Sequence, residues 1–339
     1  MDERKKKILR AIVDEYIETA QPVSSNTIVQ KYEPNISSAT VRNDMAELEK
    51  IGFLEKTHTS SGRVPSAKGY RVYVDELLKY DDLSKEEIKY IGKQLETRVN
   101  QLEDLTKITM NTISEITHYT TVSVGPQSSK QKIEEIKFVM LGERMLMAII
   151  MTDIGMIKET IIKFDEDVSQ EQIDTLGKIF NKKLKGEPLE KIDKPLEEYI
   201  VNELHYNINI IKTIIEEIQK MIERDDNVFT EGRNKNYDLP EFKSLETARN
   251  FANVLDEKDV MLDVLNSEDE KDIQVYIGDE NENEELKDFS IVTFKHSVGN
   301  KDLGTIGIIG PKRMNYSKVI SVMKYISKML NDEDNNKTN

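Results

Sequence analysis

Residues 37–77 read SSATVRNDMAELEKIGFLEKTHTSSGRVPSAKGYRVYVDEL, and this stretch decides the fold at the front of the chain. Its first part repeats apolar residues at helical spacing, because Val41, Met45 and Leu48 fall on one narrow stripe at about 100° per residue. A serine can cap the start of such a helix, and Gly52 can close its end. The pattern therefore predicts a helix whose narrow stripe faces a core.

The opposite face of this predicted helix carries small residues, an amide and cations, and its acids lie on the flanks. Small side chains let a helix sit deep in the major groove, Asn can read adenine, and Arg can read guanine or hold a phosphate. Hydroxyls near a helix start can bond phosphate oxygens. An ordinary solvated face would show the same pattern. The candidate DNA contacts on this helix are Ser38, Ala39, Thr40, Arg42, Asn43, Ala46 and Lys50, and the flanking acids are Asp44, Glu47 and Glu49.

The segment FLEKTHTSSGRVPS alternates like a two-stranded hairpin that turns at residues 60–62. Its tip is expected to touch the flanking DNA backbone or to insert Arg63 into the minor groove. The helix that restarts after Ser66 adds two cations that could reach phosphates or stay solvated. A single His without other His or Cys nearby does not predict a metal site. The candidate contacts in this region are Lys56, His58, Thr59, Ser61, Gly62, Arg63, Lys68 and Arg71.

Two further helical patterns precede this stretch, over residues 3–22 and 24–33, and prolines stop each of them. Three helices with an exposed third helix, followed by a hairpin with a basic tip, describe a winged helix-turn-helix. Its third helix would lie in the major groove. We therefore predict a DNA-binding domain over residues 1–80.

The charge of the chain is uneven. The formal net charge of the 339 residues is -15, yet the first 75 residues hold 12 Lys and Arg against 11 Asp and Glu. An acidic body aids solubility in any protein. Behind a DNA-binding front, it would also keep DNA away from every face except the intended one.

The composition argues against several function classes. The chain has no Cys, which excludes disulfides and thiolate metal sites and suits a cytoplasmic protein. Neither a signal peptide nor a membrane span is expected. Residues 304–311 lack the dinucleotide fingerprint, and the acidic residues 278–288 lack the pattern of an EF-hand loop. No nucleophile–base set is recognisable, so we expect no catalysis, no metal and no cofactor.

The remaining chain divides by pattern. Residues 81–132 predict a linking helix and a first strand. Residues 133–223 predict three antiparallel strands, with turns near residues 142–144 and 153–155, followed by helices with an Ile stripe that packs under the sheet or meets a partner helix. The central strand is apolar on both faces, which predicts cover on both sides. Residues 224–331 predict a strand meander and a final helix, and residues 332–339 predict a disordered tail.

Residues 37–78 closely resemble the winged-helix segment of the HrcA family of bacterial heat-inducible transcription repressors. Residues 4–25, 276–296 and 303–327 fit the same family in order. Ser61 and Ser66 are mild departures from the family pattern. The resemblance implies DNA contacts at residues 38–43 and around Gly62 and Arg63.

The resemblance further implies an α+β multidomain fold with three parts. These are the winged helix-turn-helix, a GAF-like α/β domain, and a dimerising domain of three antiparallel strands with helices inserted into it. A dimer of this family is expected to bind an inverted-repeat operator, CIRCE, upstream of chaperone genes, with the GroEL chaperonin promoting the active form. Two other readings of the sequence remain open: a regulator gated by a small effector in the GAF-like domain, and a scaffold whose winged domain binds protein.

Overall fold

The computed structural model describes residues 1–56, 62–95, 102–126, 130–204, 208–224, 228–265, 272–298 and 301–337. The chain starts with a winged head of three helices and a two-stranded antiparallel hairpin, as predicted. Its elements are α1 (Glu3–Thr19), α2 (Ser25–Lys31), α3 (Ser38–Lys50), β1 (Leu54–Lys56), β2 (Arg63–Pro65) and α4 (Ala67–Val72), which continues into a π-helical turn over Tyr73–Leu77.

Local sequence signals account for the helix starts in the head. A side-chain oxygen just before each helix accepts a hydrogen bond from a backbone N–H of the first turn, which satisfies a group that the helix itself leaves open. The residues that do so for α1 to α4 are Asp2, Ser24, Ser37 and Ser66. The predicted apolar stripe of α3 is confirmed, since Val41, Met45 and Leu48 are buried.

Two ion pairs with a buried carboxylate tie the head helices together. Arg4 of α1 donates to both oxygens of Asp44 on α3, at 2.7 and 3.0 Å. Glu15 of α1 accepts two bonds from Lys31, at 2.7 and 2.9 Å, and one from the hydroxyl of Tyr32 at 3.0 Å. A buried carboxylate needs such partners, because its desolvation is otherwise strongly unfavourable.

A five-stranded antiparallel sheet forms the centre of the body. The body elements are α5 (Lys85–Leu95), α6 (Leu102–Thr117), β3 (Thr120–Val124), β7 (Val228–Glu231), α10 (Leu245–Asp256), α11 (Lys258–Leu265), β8 (Ile273–Ile277), β9 (Phe289–Val298), β10 (Lys301–Pro311) and α12 (Tyr316–Lys337). The strands of the sheet lie in the order β7-β3-β10-β9-β8. One face of the sheet packs on α6 and α12, and the other on α10 and α11. Successive residues of β9 point to opposite cores, with Val292 in the first and Ile291 in the second.

Between the neighbouring strands β3 and β7 the chain builds a second unit with a core of its own. It comprises β4 (Ile133–Gly142), β5 (Met145–Thr152), β6 (Ile157–Lys163), α7 (Gln170–Leu184), α8 (Lys194–Leu204) and α9 (Ile208–Arg224). The predicted three-stranded antiparallel sheet is confirmed. The Ile stripe of α9 packs under this sheet through Ile211, Ile215 and Ile218.

The predicted cover on both faces of β5 is wrong within a single chain. The helices bury Leu146, Ala148 and Ile150, whereas the alternating residues between them stay partly exposed. The exposed fractions of Val139 and Ile161 on the flanking strands are 44% and 53%. The sheet therefore has one open apolar face.

The head is built into the body. Tyr70 of α4 and Tyr316 of α12 are both buried, with ring centroids 5.9 Å apart, and one continuous hydrophobic cluster runs from α1 to α12. Arg313 donates a 2.8 Å hydrogen bond to the carbonyl of Ile17 and also pairs with Glu241. Because Ile17 lies in the last turn of α1, Arg313 caps a carbonyl that has no partner within the helix.

Helix α12 continues to Lys337, so the predicted disordered tail from residue 332 is helical over most of its length. Among the described residues no helix combines the length and the apolar character needed to cross a membrane.

We predict that His296 on β9 makes the free energy of unfolding sensitive to acid. Burial lowers the pKa of this imidazole from its ordinary 6.5 to about 4, and neither ring nitrogen has a hydrogen-bond partner among the described residues. The unfolded chain therefore takes up a proton here as pH falls below 6.5, while the folded chain does not until about pH 4. The free energy of unfolding should lose about 2 kcal/mol at this site between pH 7.5 and pH 5.

His296→Leu should remove that loss, as measured by the thermal unfolding midpoint at both pH values. The matched control is His118→Asn, which changes an exposed His at the surface. Equal acid sensitivity in the His296→Leu protein and the parent would contradict the assignment.

We also predict that Arg4 holds α3 in place. Arg4→Ala leaves the Asp44 carboxylate, whose side chain is only 4% exposed, without its partner. Since Arg4 itself is half exposed, the substitution should lower the free energy of unfolding by about 1 to 2 kcal/mol. Hydrogen exchange of α3 peptides should accelerate accordingly. The control is Lys7→Ala on the exposed side of the same helix, and equal exchange in both variants would refute the role.

Candidate nucleic-acid interface

Helix α3 presents one open face, which we define by Ala39, Arg42, Asn43, Ala46 and Lys50. All five residues are exposed, while the opposite side of the helix packs against α1, α2 and β1. Within the described part of the chain, Arg42, Asn43 and Lys50 form no hydrogen bond or ion pair. Two small residues, an amide and two cations thus remain available on a helix that a major groove can accommodate.

The start of α3 is more constrained than the sequence predicts. Ser38 Oγ lies 2.6 Å from Asn26 Oδ1 and 2.9 Å from Ser25 Oγ, and Thr40 Oγ1 lies 2.8 Å from the capping Ser37 Oγ. The two bonds of Ser38 join the N-terminus of α3 to α2, and the bond of Thr40 is local to the start of α3. Both hydroxyls remain partly exposed. Ser38 donates its one proton to Asn26, whereas Thr40 can accept from Ser37 and keep its own proton for a phosphate oxygen.

Asn26 was missed by the sequence reasoning. It is exposed on α2 beside the start of α3, and its side chain orients the hydroxyl of Ser38. An exposed amide in the first turn of the helix before α3 is a signal that could have identified Asn26.

All three acids of α3 are paired with cations from other elements. Asp44 is bound by Arg4, Glu47 lies 2.6 Å from Lys5 Nζ, and Glu49 lies 2.6 Å from Arg63 Nε. The hydrogen bond to Glu47, supported by one to Asp2, raises the pKa of Lys5 above its ordinary value. The bond to Asp44 likewise raises the pKa of Arg4.

The wing differs from its predicted role in two places. Strand β2 pairs with β1 on one side and with Val23 on the other. The backbone carbonyl of Arg63 accepts a 2.8 Å hydrogen bond from the N–H of Val23, and its N–H donates a 2.9 Å bond to the Val23 carbonyl. The Arg63 side chain is only 15% exposed and is bound to Glu49, so in this conformation it does not extend from the wing. Its insertion into the minor groove stays a prediction.

Gly62 is likewise not part of an exposed tip. It is buried, and a Cβ there would lie 2.8 Å from the backbone carbon of Pro22, so only Gly fits this close approach. Lys56 on β1 is exposed as predicted. The candidates His58, Thr59 and Ser61 lie outside the described residues.

The two candidates on α4 have different environments. Lys68 is exposed, with its Nζ 3.3 Å from the carbonyl of Ile51 and 5.2 Å from the centroid of the Phe53 ring. Arg71 instead binds the body, because its guanidinium pairs with Glu280 and donates to the carbonyl of Val275. In this conformation Arg71 is bound to the body, and its phosphate contact stays a prediction.

A groove of about 1070 Å³ runs along the junction between head and body. Arg71 and Tyr80 line its head side, and Lys295, Lys324 and Lys328 line its body side. Among the described residues no group of His, Cys, Asp and Glu has the arrangement of a metal site.

Comparison with known proteins agrees with this architecture. Residues 103–320 match the HrcA protein C-terminal domain, and residues 4–65 match the DeoR-like helix-turn-helix domain. A solved structure of a protein described only as hypothetical superposes with a TM-score of 0.63 at 24% identity, covering 98% of both chains, which shows a shared fold.

Curated relatives match over nearly the full length. The heat-inducible transcription repressor HrcA of Ruminiclostridium cellulolyticum is 40% identical over 98% of this chain and 97% of its own length. The repressor of the same name from Acetivibrio thermocellus is 40% identical over 97% and 95%. The relatives carry the names of transcription repressors and not of enzymes, in agreement with the expectation of no catalysis. The chain belongs to the HrcA family of heat-inducible transcription repressors.

Proposed function

We propose that this chain represses transcription by placing α3 in the major groove of an operator. The open face of α3 carries this proposal, because its two cations and its amide are exposed and uncommitted among the described residues while its apolar stripe is buried. Arg42 and Asn43 would read base edges, Lys50 and Lys56 would contact phosphates, and Ala39 and Ala46 would allow close approach. DNA binding of this kind would take place in the cytoplasm.

We propose further that two chains associate through the open sheet face of residues 133–223. On this face, Lys137, Ile149 and Glu159 lie side by side on β4, β5 and β6. The next row places Val139, Met147 and Ile161 together. This apolar surface carries Lys137, 3.3 Å from Glu135, on one edge strand and Glu159 on the other, and a partner with the same pattern could pair with these charges.

A second copy meets that requirement when a two-fold axis runs parallel to β5 between the two sheets. Such an axis sets Lys137 of one protomer opposite Glu159 of its partner, and Val139 opposite Ile161. Symmetric pairing of one surface with itself is the commonest way to form a homodimer. It would also supply the second cover that the apolar pattern of β5 predicts.

The operator and the chaperone link are proposed from the family resemblance. Two heads related by a two-fold axis would read two half-sites, so the operator should be an inverted repeat such as CIRCE. The GroEL chaperonin is proposed as the partner that promotes the DNA-binding form. The groove at the junction supports a second candidate function, regulation by a small effector, for which native mass spectrometry would reveal a stoichiometric ligand.

Arg42→Ala should weaken binding to an operator selected from a random DNA pool. Loss of a base contact should cost about 1–3 kcal/mol of binding free energy, as measured by gel shift. The matched control is Arg249→Ala, an exposed arginine on α10 that should bind the operator like the parent. Equal affinity of the two variants would remove α3 from the interface.

Ile149→Asp should dissociate the dimer, because a carboxylate would be buried in an apolar interface. The dimer dissociation constant should rise more than about tenfold, as measured by sedimentation at several concentrations. The control is Ile88→Asp, which alters an apolar residue that is 39% exposed on α5.

Charge reversal tests the proposed geometry of the dimer. Lys137→Glu alone should weaken association, and adding Glu159→Lys in the same chain should restore it. A double reversal that stays monomeric would exclude the axis parallel to β5, and unchanged association of Ile149→Asp would exclude this face altogether.

A further inference from the structure

The two acids at the margins of the open face of α3 occupy sensitive positions. Glu47 follows Asn43 by four residues, and Glu49 follows Ala46 by three, so both are surface neighbours of the residues proposed to meet DNA. Their side chains are 61% and 33% exposed. A bare carboxylate at either position would stand close to the phosphates of a bound duplex.

Each of these carboxylates is covered by a cation from a separate part of the head. Lys5 reaches Glu47 from the first turns of α1, and Arg63 reaches Glu49 from the wing. The two cations are 20% and 15% exposed, so both lie largely within the head. Lys5 also lies 3.0 Å from Asp2, whose carboxylate caps α1.

The strength of the electrostatic effect follows from the distances involved. Charges within about 10 Å of each other interact with little screening at 0.1 M salt. One repulsive unit charge at that range, acting on several phosphates, raises a dissociation constant by about threefold to tenfold. A covering cation removes most of that repulsion without contacting the DNA.

We propose that Lys5 and Arg63 are positioning residues that mask Glu47 and Glu49, so that DNA meets a face free of negative charge. This inference rests on the proposed DNA-binding function and assigns to Arg63 a role other than insertion into the minor groove. It also gives a role to Lys5, which no helix-turn-helix pattern singles out.

The test pairs each cation with its acid in the full-length protein. Lys5→Gln should raise the dissociation constant for the selected operator about threefold to tenfold. The double variant Lys5→Gln/Glu47→Gln should return to the affinity of the parent. Because Glu47 is well exposed, neither change should shift the thermal midpoint by more than a few degrees. Arg63→Gln and Arg63→Gln/Glu49→Gln should show the same loss and recovery.

A matched control lies one residue away. Lys6 pairs at 3.0 Å with Glu76 of the π-helical turn, and not with α3. Lys6→Gln and Lys6→Gln/Glu76→Gln should therefore bind the operator alike. All binding is measured well below the thermal midpoint of the least stable variant, so that a loss of folding is not read as a loss of affinity.

The salt dependence separates masking from direct contact. Removing a phosphate contact lowers the slope of log K against log salt by about 1, and neutralising the acid does not restore it. Masking predicts that both double variants keep the slope and the affinity of the parent. Double variants as weak as the single ones, or single variants as strong as the parent, would overturn the proposal. A parent protein that binds no DNA with salt dependence would instead overturn the proposed function.

Discussion

The arrangement of the molecule depends on the packing of α4 into the body. Tyr70 of the head is buried against Tyr316 of the body, and two arginine clamps also join these two parts. Arg71 of the head binds Glu280 and the carbonyl of Val275, while Arg313 of the body binds the carbonyl of Ile17. The proposed binding of two half-sites at fixed spacing would need such a constraint, because a head on a loose tether would lose orientational freedom on binding.

The body contains separate hydrophobic cores, and one of them continues into the head. The five-stranded sheet and α12 share one core with the head, whereas residues 133–223 have a core of their own. The unit proposed to dimerise is thus energetically distinct from the unit that orients α3. A small effector in the groove lined by Arg71 and Lys324 would act on the junction directly, since the groove includes one of its clamps.

Local patterns of the sequence were sufficient to predict the helices of the head, the buried stripe of α3 and the three strands of the inserted unit. Each depends on residues within a few positions of one another. The exposure of the candidate contacts on the open face of α3 was also predictable, because exposure on a helix follows from its period. The environments of Arg63, Gly62 and Arg71 could not be predicted, for a common reason. Their environments are set by Glu49, Pro22 and Glu280, and the last of these lies 209 positions away.

Net charge is a poor guide to a DNA-binding surface in this chain. The protein carries -15 in total, and α3 itself contains three acids against two cations. What distinguishes its open face is the local pairing of those acids, since charges beyond about a Debye length contribute little at physiological salt. Pairing of this kind cannot be read from composition, because it joins α1, α3 and the wing through the fold.

The uncovered face of β5 is a place where the sequence pattern predicts more cover than one chain provides. Apolar residues on both sides of a strand require two layers of cover, and the helices α7 to α9 provide only one. The expectation failed for the single chain because it counted neighbours within that chain alone. A hydrophobic pattern reflects the surface that water leaves in the working assembly, so the proposed second copy would supply the layer that one chain lacks.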